Sequence, residues 1–501
     1  MSNRKSKIVF IVIYPQFIEY YFNKSVLDKL LNIYEVQILL PEKLRSFVPD
    51  KYINFCYFLN IASFNHNQKK LHFIFELSAW KNRKRSISFK FRETRTSQPY
   101  NLINVKKYLA LLFINGLSNN SLQEVKKEFF KTRNEQFDFQ NVGIFKKIVP
   151  EVLKGLYILV RRFLIRVLAS YPIFTVCKYF ALKIISTPPE LNKFFSENTY
   201  DLVVYVSSGF EPIAYHVPKI LNTLKRPSLM VADNWDNLSS KTSMWELPSH
   251  VATWGTQSSE HAVRIQGFKP EQVSNIGTAR FSGYRTTSSD KLKSHFSFDY
   301  VLFVGTILDF NEYSCLKIIS KEILSNPDIY GDLRIVYRPH PFAQNRNSAR
   351  HFQDFDNVLL DPQIKQLIKN NFSRIYPEID YLPSLIFNSQ FVIGGMTSFI
   401  IDASIFGKKY IGLIHKEKYN LTSPETVYIN YEHFKGIDVL PNLFLCDDLD
   451  FLRLIIRSVW RKPNLAQDQI DSKLGYFYNI SEAPYYLNLS KVIDECINFT
   501  L

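Results

Sequence analysis

The chain has 501 residues, more than one ordinary hydrophobic core accommodates, so two or more domains are expected. Its 46% hydrophobic and 22% charged residues exclude a disordered chain. The 62 Lys and Arg against 46 Asp and Glu, formally +16, call for an anionic partner: a phosphorylated substrate, an acidic lipid surface or nucleic acid.

The five cysteines, Cys56, Cys177, Cys315, Cys446 and Cys496, are scattered along the chain. They offer no metal-ligand spacing and no redox pair, and they fit a reducing, cytoplasmic setting. The first element is the run KIVFIVIYP behind a basic head. Signal peptides also begin this way, but the run is short, β-branched and lacks a small-residue cleavage site, so it reads as a buried strand. YEVQILLP, Tyr34 to Pro41, is a second strand, and a helix is expected over 17–33 between them. That β-α-β opening marks an α/β domain.

From about 55 to 190 the pattern loosens into an insertion. It carries the basic patch WKNRKRSISFKFR, Trp80 to Arg92, and the apolar stretch Glu151 to Ile185, interrupted by Lys154, Arg161, Arg162, Arg166, Lys178 and Lys183. No segment reaches the ~18–20 uninterrupted apolar residues of a membrane span. The stretch reads as core-facing helices with solvated cations, or as a helix lying on an anionic bilayer, a peripheral contact at the inner face of the cell membrane.

Alternation resumes with YDLVVYVSSG, then PSLMVADNWDN, SHVATWG and VSNIGTARF. Each is an apolar run ending in small or polar residues, as parallel strands do when both faces are buried and the carboxyl ends carry function. The polar, Ser/Thr-rich segment after Phe281 reads as a linker. Strand-like runs restart with YVLFVGT, LRIVYRPHP, SQFVIGGMTS and KKYIGLIH. The expected class is α/β, with two Rossmann-like domains facing a cleft. Residues 1–285 form the first, on the acceptor side, and 286–501 the second, on the nucleotide-donor side with the terminal helices.

Two motifs end strands of the second domain. In YRPHP, His340 is held between prolines, which fix φ and remove donors, so its imidazole is presented rigidly to neutralise a leaving group; Arg338 adds a fork for phosphate. In GGMTSFIIDA, a tight turn at Gly394 and Gly395 leads to Thr397 and Ser398 at a helix start, where N–H groups and hydroxyls suit an anion. Taken singly, each is equally a loop histidine or a capped strand–turn–helix.

Together, RPHP and the TS–D strand–helix resemble the His-Pro and Ser-Ser motifs of bacterial GT-B glycosyltransferases of surface-polysaccharide biosynthesis. These include the sialyl- and Kdo-transferases and the CDP-glycerol glycerophosphotransferases. The resemblance covers about residues 200–415, including GTARF before the linker. It departs at ADNWDNLSSK, where the glycerophosphotransferases carry a HGT turn, and at Gly395, which replaces an acidic residue. It implies a nucleotide-sugar donor, CMP-, CDP- or UDP-linked, held by Arg338, His340, Gly395, Thr397, Ser398 and Asp402. The acceptor is then a glycan or a lipid-linked sugar. Alternatives of the same architecture are a glycerophosphotransferase and a nucleotide-sugar epimerase.

The ADNWDN loop supplies the candidate base. Asp236 ranks ahead of Asp233, because it follows Trp235, on whose ring a sugar could stack. The same residues also suit an Asx-rich turn. Glu211 and His216, at a similar strand end, are reserve candidates for base or acceptor contact. No residue pattern calls for a metal or another cofactor, and no RNA- or DNA-reading motif is visible.

Overall fold

The computed structural model describes residues 4–59, 172–244, 246–282, 292–341, 351–369, 380–418 and 422–498, together with 78, 86–89, 159–160, 163–170, 284 and 420. The chain divides into two compact units. One comprises Met1–Ser63, Thr187–Lys416 and Thr422–Leu501; the other comprises Phe64–Ser186 and Glu417–Leu421.

The first unit holds two wholly parallel sheets. The seven-stranded sheet has the order β3-β2-β1-β4-β5-β6-β7 and the six-stranded sheet β10-β9-β8-β11-β12-β13. Strands β1 (Lys7–Ile11), β2 (Glu35–Pro41), β4 (Leu202–Ser207), β5 (Ser228–Ala232), β6 (His250–Thr253) and β7 (Val273–Asn275) lie where the apolar runs place them. So do β8 (Tyr300–Val304), β9 (Arg334–Arg338), β11 (Val392–Gly395) and β12 (Tyr410–Leu413). The strands β3 (Cys56–Leu59), β10 (Val358–Leu360) and β13 (Leu443–Cys446) were not foreseen. They are short edge strands and only partly buried, so no continuous apolar run announces them.

This is an α/β architecture of two Rossmann-like parallel sheets, as expected. In each sheet the strand order reverses once, between β1 and β4 and between β8 and β11. At such a reversal the connections leave to opposite faces and open a crevice beyond the carboxyl ends. The register there is tight: Ile8 lies opposite Leu202, and Val392 opposite Leu302.

Two expectations are corrected. The helix over 17–33 is two helices, Pro15–Tyr21 and Leu27–Ile33. Asn23 separates them, because its Oδ1 accepts the N–H groups of Ser25 at 2.9 Å and Val26 at 3.1 Å in place of the helical carbonyls. The last helix, Tyr485–Asn498, was assigned to the second domain but packs on the first sheet. Its Tyr485, Leu489, Val492 and Ile493 join the core of β1, β2 and β4, and Tyr34 donates its hydroxyl to Asp494 Oδ1 at 2.7 Å. The chain therefore crosses back, and the two sheets are tied twice.

In the second unit the described residues include the helix Ile173–Ile184 and helical residues 163–168. The patch Lys81–Arg85, Lys154, Arg161, Arg162 and linker residues 283 and 285–291 lie outside the described residues. Among the described residues, no helix is long and apolar enough to cross a membrane.

Candidate active site

On the first sheet, β4 ends in Ser207 and the chain turns at Gly209, whose φ of 87° suits glycine. Glu211 organises this turn. It is 3% exposed, and its carboxylate accepts Ser207 Oγ at 2.6 Å and the Ser208 N–H at 3.2 Å. Ser208 Oγ then reaches across to the end of β5, donating to Asp233 Oδ2 at 3.0 Å. Beyond Asp233 the chain makes one wide helical turn, Asn237–Lys241, which returns Lys241 Nζ to 3.1 Å from Asp236 Oδ1.

Three carboxylates and one ammonium thus converge at one rim. The Asp233 carboxyl is pushed up to about 6. Burial is the main cause; Glu211 and Asp236 add to it, while Lys241 and the Ser208 hydroxyl oppose it. Burial works against the Lys241 ammonium, yet Asp236, Asp233 and Glu211 together hold its pKa above the ordinary lysine value. Glu19, on the helix Pro15–Tyr21 that follows β1, is raised to about 8 by burial. Its neighbour Tyr20 is raised by burial above all, with Asp233, Glu19 and Asp402 adding to it and Arg280 opposing.

The second sheet presents the matching ends. β9 stops at Arg338, and the half-buried His340 stands two residues beyond it. β11 runs through Gly395 into the helix Phe399–Ile405, with Thr397 and Ser398 partly exposed at its start; Ser398 makes no side-chain cap bond. Glu312 mirrors Glu211, accepting the Thr306 N–H at 3.3 Å and the Tyr337 hydroxyl to fix the turn after β8.

Buried contacts join the two rims. Asp402 is 0% exposed and accepts Arg280 Nη2 at 2.8 and 2.9 Å and the Tyr284 hydroxyl at 3.0 Å. Trp235, 2% exposed, meets His433, Phe434 and Phe477 edge-on with ring centroids 5.2–5.9 Å apart. His433 Nδ1 lies 2.8 Å from Ser240 Oγ, and burial pushes the imidazole down to about 4, so it is neutral.

No family model matches the sequence, and no curated protein matches it. Solved structures do. The chain is similar to a UDP-N-acetylglucosamine 2-epimerase at 11% identity and TM-score 0.47, covering 99% of this chain and 97% of that one. It is similar to the UDP-GlcNAc 2-epimerase of Neisseria meningitidis bound to UDP-GlcNAc at 11% identity and TM-score 0.41, covering 98% and 100%. It is also similar to the lipopolysaccharide outer core galactosyltransferase WaaB at 10% identity and TM-score 0.39, covering 98% and 99%.

The structure brings Asp233 and Asp236 together at one rim and His340, Thr397 and Ser398 to strand ends of the other sheet. It places six other candidates differently. Trp235 is part of the core between the sheets, so its face is closed to a sugar. The Asp402 carboxylate is held by Arg280 and Tyr284. Arg338 directs its guanidinium inward, to Asp361 Oδ2 and, at 2.7 Å, to Gln363 Oε1. Gly395 leaves no room for a phosphate on its Cα side, since a Cβ there would sit 2.6 Å from Thr306 Cγ2. Glu211 orders a turn, and His216, 2% exposed, sits in the buried helix Ile213–Leu224. Sequence reading passed over Glu19, Ser208 and the Arg280–Asp402 pair. Arg280 had a signal in its place in GTARF, and Asp402 in the TS–D motif, but nothing in the sequence pairs them.

Proposed function

We propose that this chain is a glycosyltransferase that moves a sugar from a nucleotide-activated donor, UDP-, CDP- or CMP-linked, to a glycan or lipid-linked acceptor in cell-surface polysaccharide synthesis. Asp233 is the general base in place of Asp236. The observation that carries this reading is the Asp233 carboxyl at about 6, at the carboxyl end of a central strand beside Lys241. A base serves best with a pKa near the working pH, and Asp233 is ionised at neutrality yet basic enough to take a hydroxyl proton. Asp236 is engaged instead by Lys241, whose ammonium lies 3.1 Å from its Oδ1.

In the reaction, Asp233 takes the proton of the acceptor hydroxyl as that oxygen bonds to the anomeric carbon. The bond from that carbon to the phosphate oxygen breaks, and the nucleotide leaves with the electron pair. His340, with Thr397 and Ser398, donates hydrogen bonds to the leaving phosphate. Glu211 and Ser208 hold Asp233 in place.

A second reading is favoured by one observation. Asp233 and Glu19, on the segments that follow β5 and β1 of the first sheet, are two carboxyl groups raised to about 6 and about 8. Such a pair suits removing and returning a proton on a single sugar, as in a nucleotide-sugar epimerase. A panel of UDP-, CDP- and CMP-sugars, scored first by thermal shift, finds the donor. Nucleotide released only with acceptor present supports transfer. A sugar inverted without acceptor supports epimerisation.

A further inference from the structure

The second unit carries an apolar face with a charge character of its own. On the helix Ile173–Ile184, Ile173, Val176, Tyr179 and Phe180 are exposed, Phe180 at 57%. At about 100° per residue, Ile173, Val176 and Phe180 fall on one face, and Lys183 falls on it too. Lys183 Nζ lies 4.4 Å from the Tyr179 ring centroid. Helical residues 163–168 repeat the pattern, with Phe163 exposed at 67%, Leu164 beside it and Arg166 also exposed.

Exposed phenylalanine on two successive helical stretches is costly in water, at roughly 1.5–3 kcal/mol for each ring left unburied. The charge says what covers it. Residues 159–186 contain Arg161, Arg162, Arg166, Lys178 and Lys183 and not one Asp or Glu. A second copy of this face would bury like charges together; a bilayer with anionic headgroups takes the rings into its interface and the cations at its surface.

We infer that the helical residues 163–168 and 173–184 form a docking face for an anionic bilayer, with Phe163 and Phe180 inserted at the headgroup–acyl boundary and Arg166 and Lys183 on acidic lipid. This deepens the lipid-linked-acceptor part of the proposed function. It is tested without donor or acceptor, so its failure leaves the transferase reading standing.

The test is co-sedimentation of the full-length chain with phosphatidylcholine vesicles, with and without phosphatidylglycerol, at low and high salt. Binding is expected only to the anionic vesicles and weaker in salt. Each charge removed, as in Lys183→Gln or Arg166→Gln, should weaken partitioning about fivefold. Phe163→Ser and Phe180→Ser should each weaken it by about tenfold or more. Because both rings are exposed, the far-UV circular dichroism and melting temperature of these variants should match the parent's. Equal binding to neutral vesicles, binding to neither, or full binding by the Phe163→Ser/Phe180→Ser double variant would each overturn the inference.

Discussion

Replacing Arg280 with methionine should destabilise the chain and expose the logic of its buried ion pair. Asp402 is fully buried and takes two of its three hydrogen bonds from Arg280. Burial lifts the Asp402 carboxyl above the usual carboxylate range even with Arg280 and Tyr284 pulling the other way. Without Arg280, one tyrosine hydroxyl faces a charge in a dry site. Breaking such a pair by removing one partner costs about 3–5 kcal/mol, a large share of the roughly 5–15 kcal/mol that holds a domain folded. The loss depends on pH in a definite sense. In the variant, the folded state binds the Asp402 proton far more tightly than the unfolded chain does. Destabilisation is therefore full at alkaline pH and shrinks as pH falls towards the unfolded carboxyl value of about 4. Urea unfolding followed by far-UV circular dichroism at about pH 8 and about pH 5 measures this. The double variant Arg280→Met/Asp402→Leu should recover most of the loss, since neither charge is left buried. Parental stability of Arg280→Met at about pH 8, or no recovery in the double variant, would refute the reasoning.

Two further outcomes are expected. Trp235→Ala should lower stability by about 3–5 kcal/mol in the same urea assay, because it empties the contact with His433, Phe434 and Phe477; a sugar-stacking residue on an open rim would cost little. Asp233→Asn should be more stable than the parent at about pH 8. The folded carboxyl sits at about 6 against 3.8 unperturbed, so its ionisation opposes folding above about 6, by up to about 3 kcal/mol, and the gain should vanish below about pH 4.

The fold was legible where physics acts locally. β1, β4, β5 and β8 are buried on both faces, so their sequences are nearly continuous apolar runs bounded by turn residues. The edge strands and the return of Tyr485–Asn498 to the first sheet depend on neighbours far along the chain. The rim residues were legible as strand ends, which is why His340, Thr397, Ser398 and Asp233 lie where expected. Their roles were less so. Trp235 suits a sugar platform and Asp402 stands in the TS–D motif of the donor site, and only the tertiary contacts assign them to the core. The proposed order, Asp233 ahead of Asp236, reverses the sequence-based one for the same reason. Lys241 turns back to pair with Asp236, while Glu211 and burial raise Asp233, and none of this is written in the hexapeptide ADNWDN.

The central claim is that Asp233 takes the acceptor proton. Once the donor panel names the substrate, kcat/KM for nucleotide release in the presence of acceptor should rise with pH through about 6 and then level, as the free-enzyme base ionises. Asp233→Asn should lose about 10²–10⁴-fold of the plateau rate and bind the donor with parental affinity by calorimetry, whereas Asp236→Asn should keep most of the rate. A rate flat across pH 6, together with near-normal turnover by Asp233→Asn, would contradict the account.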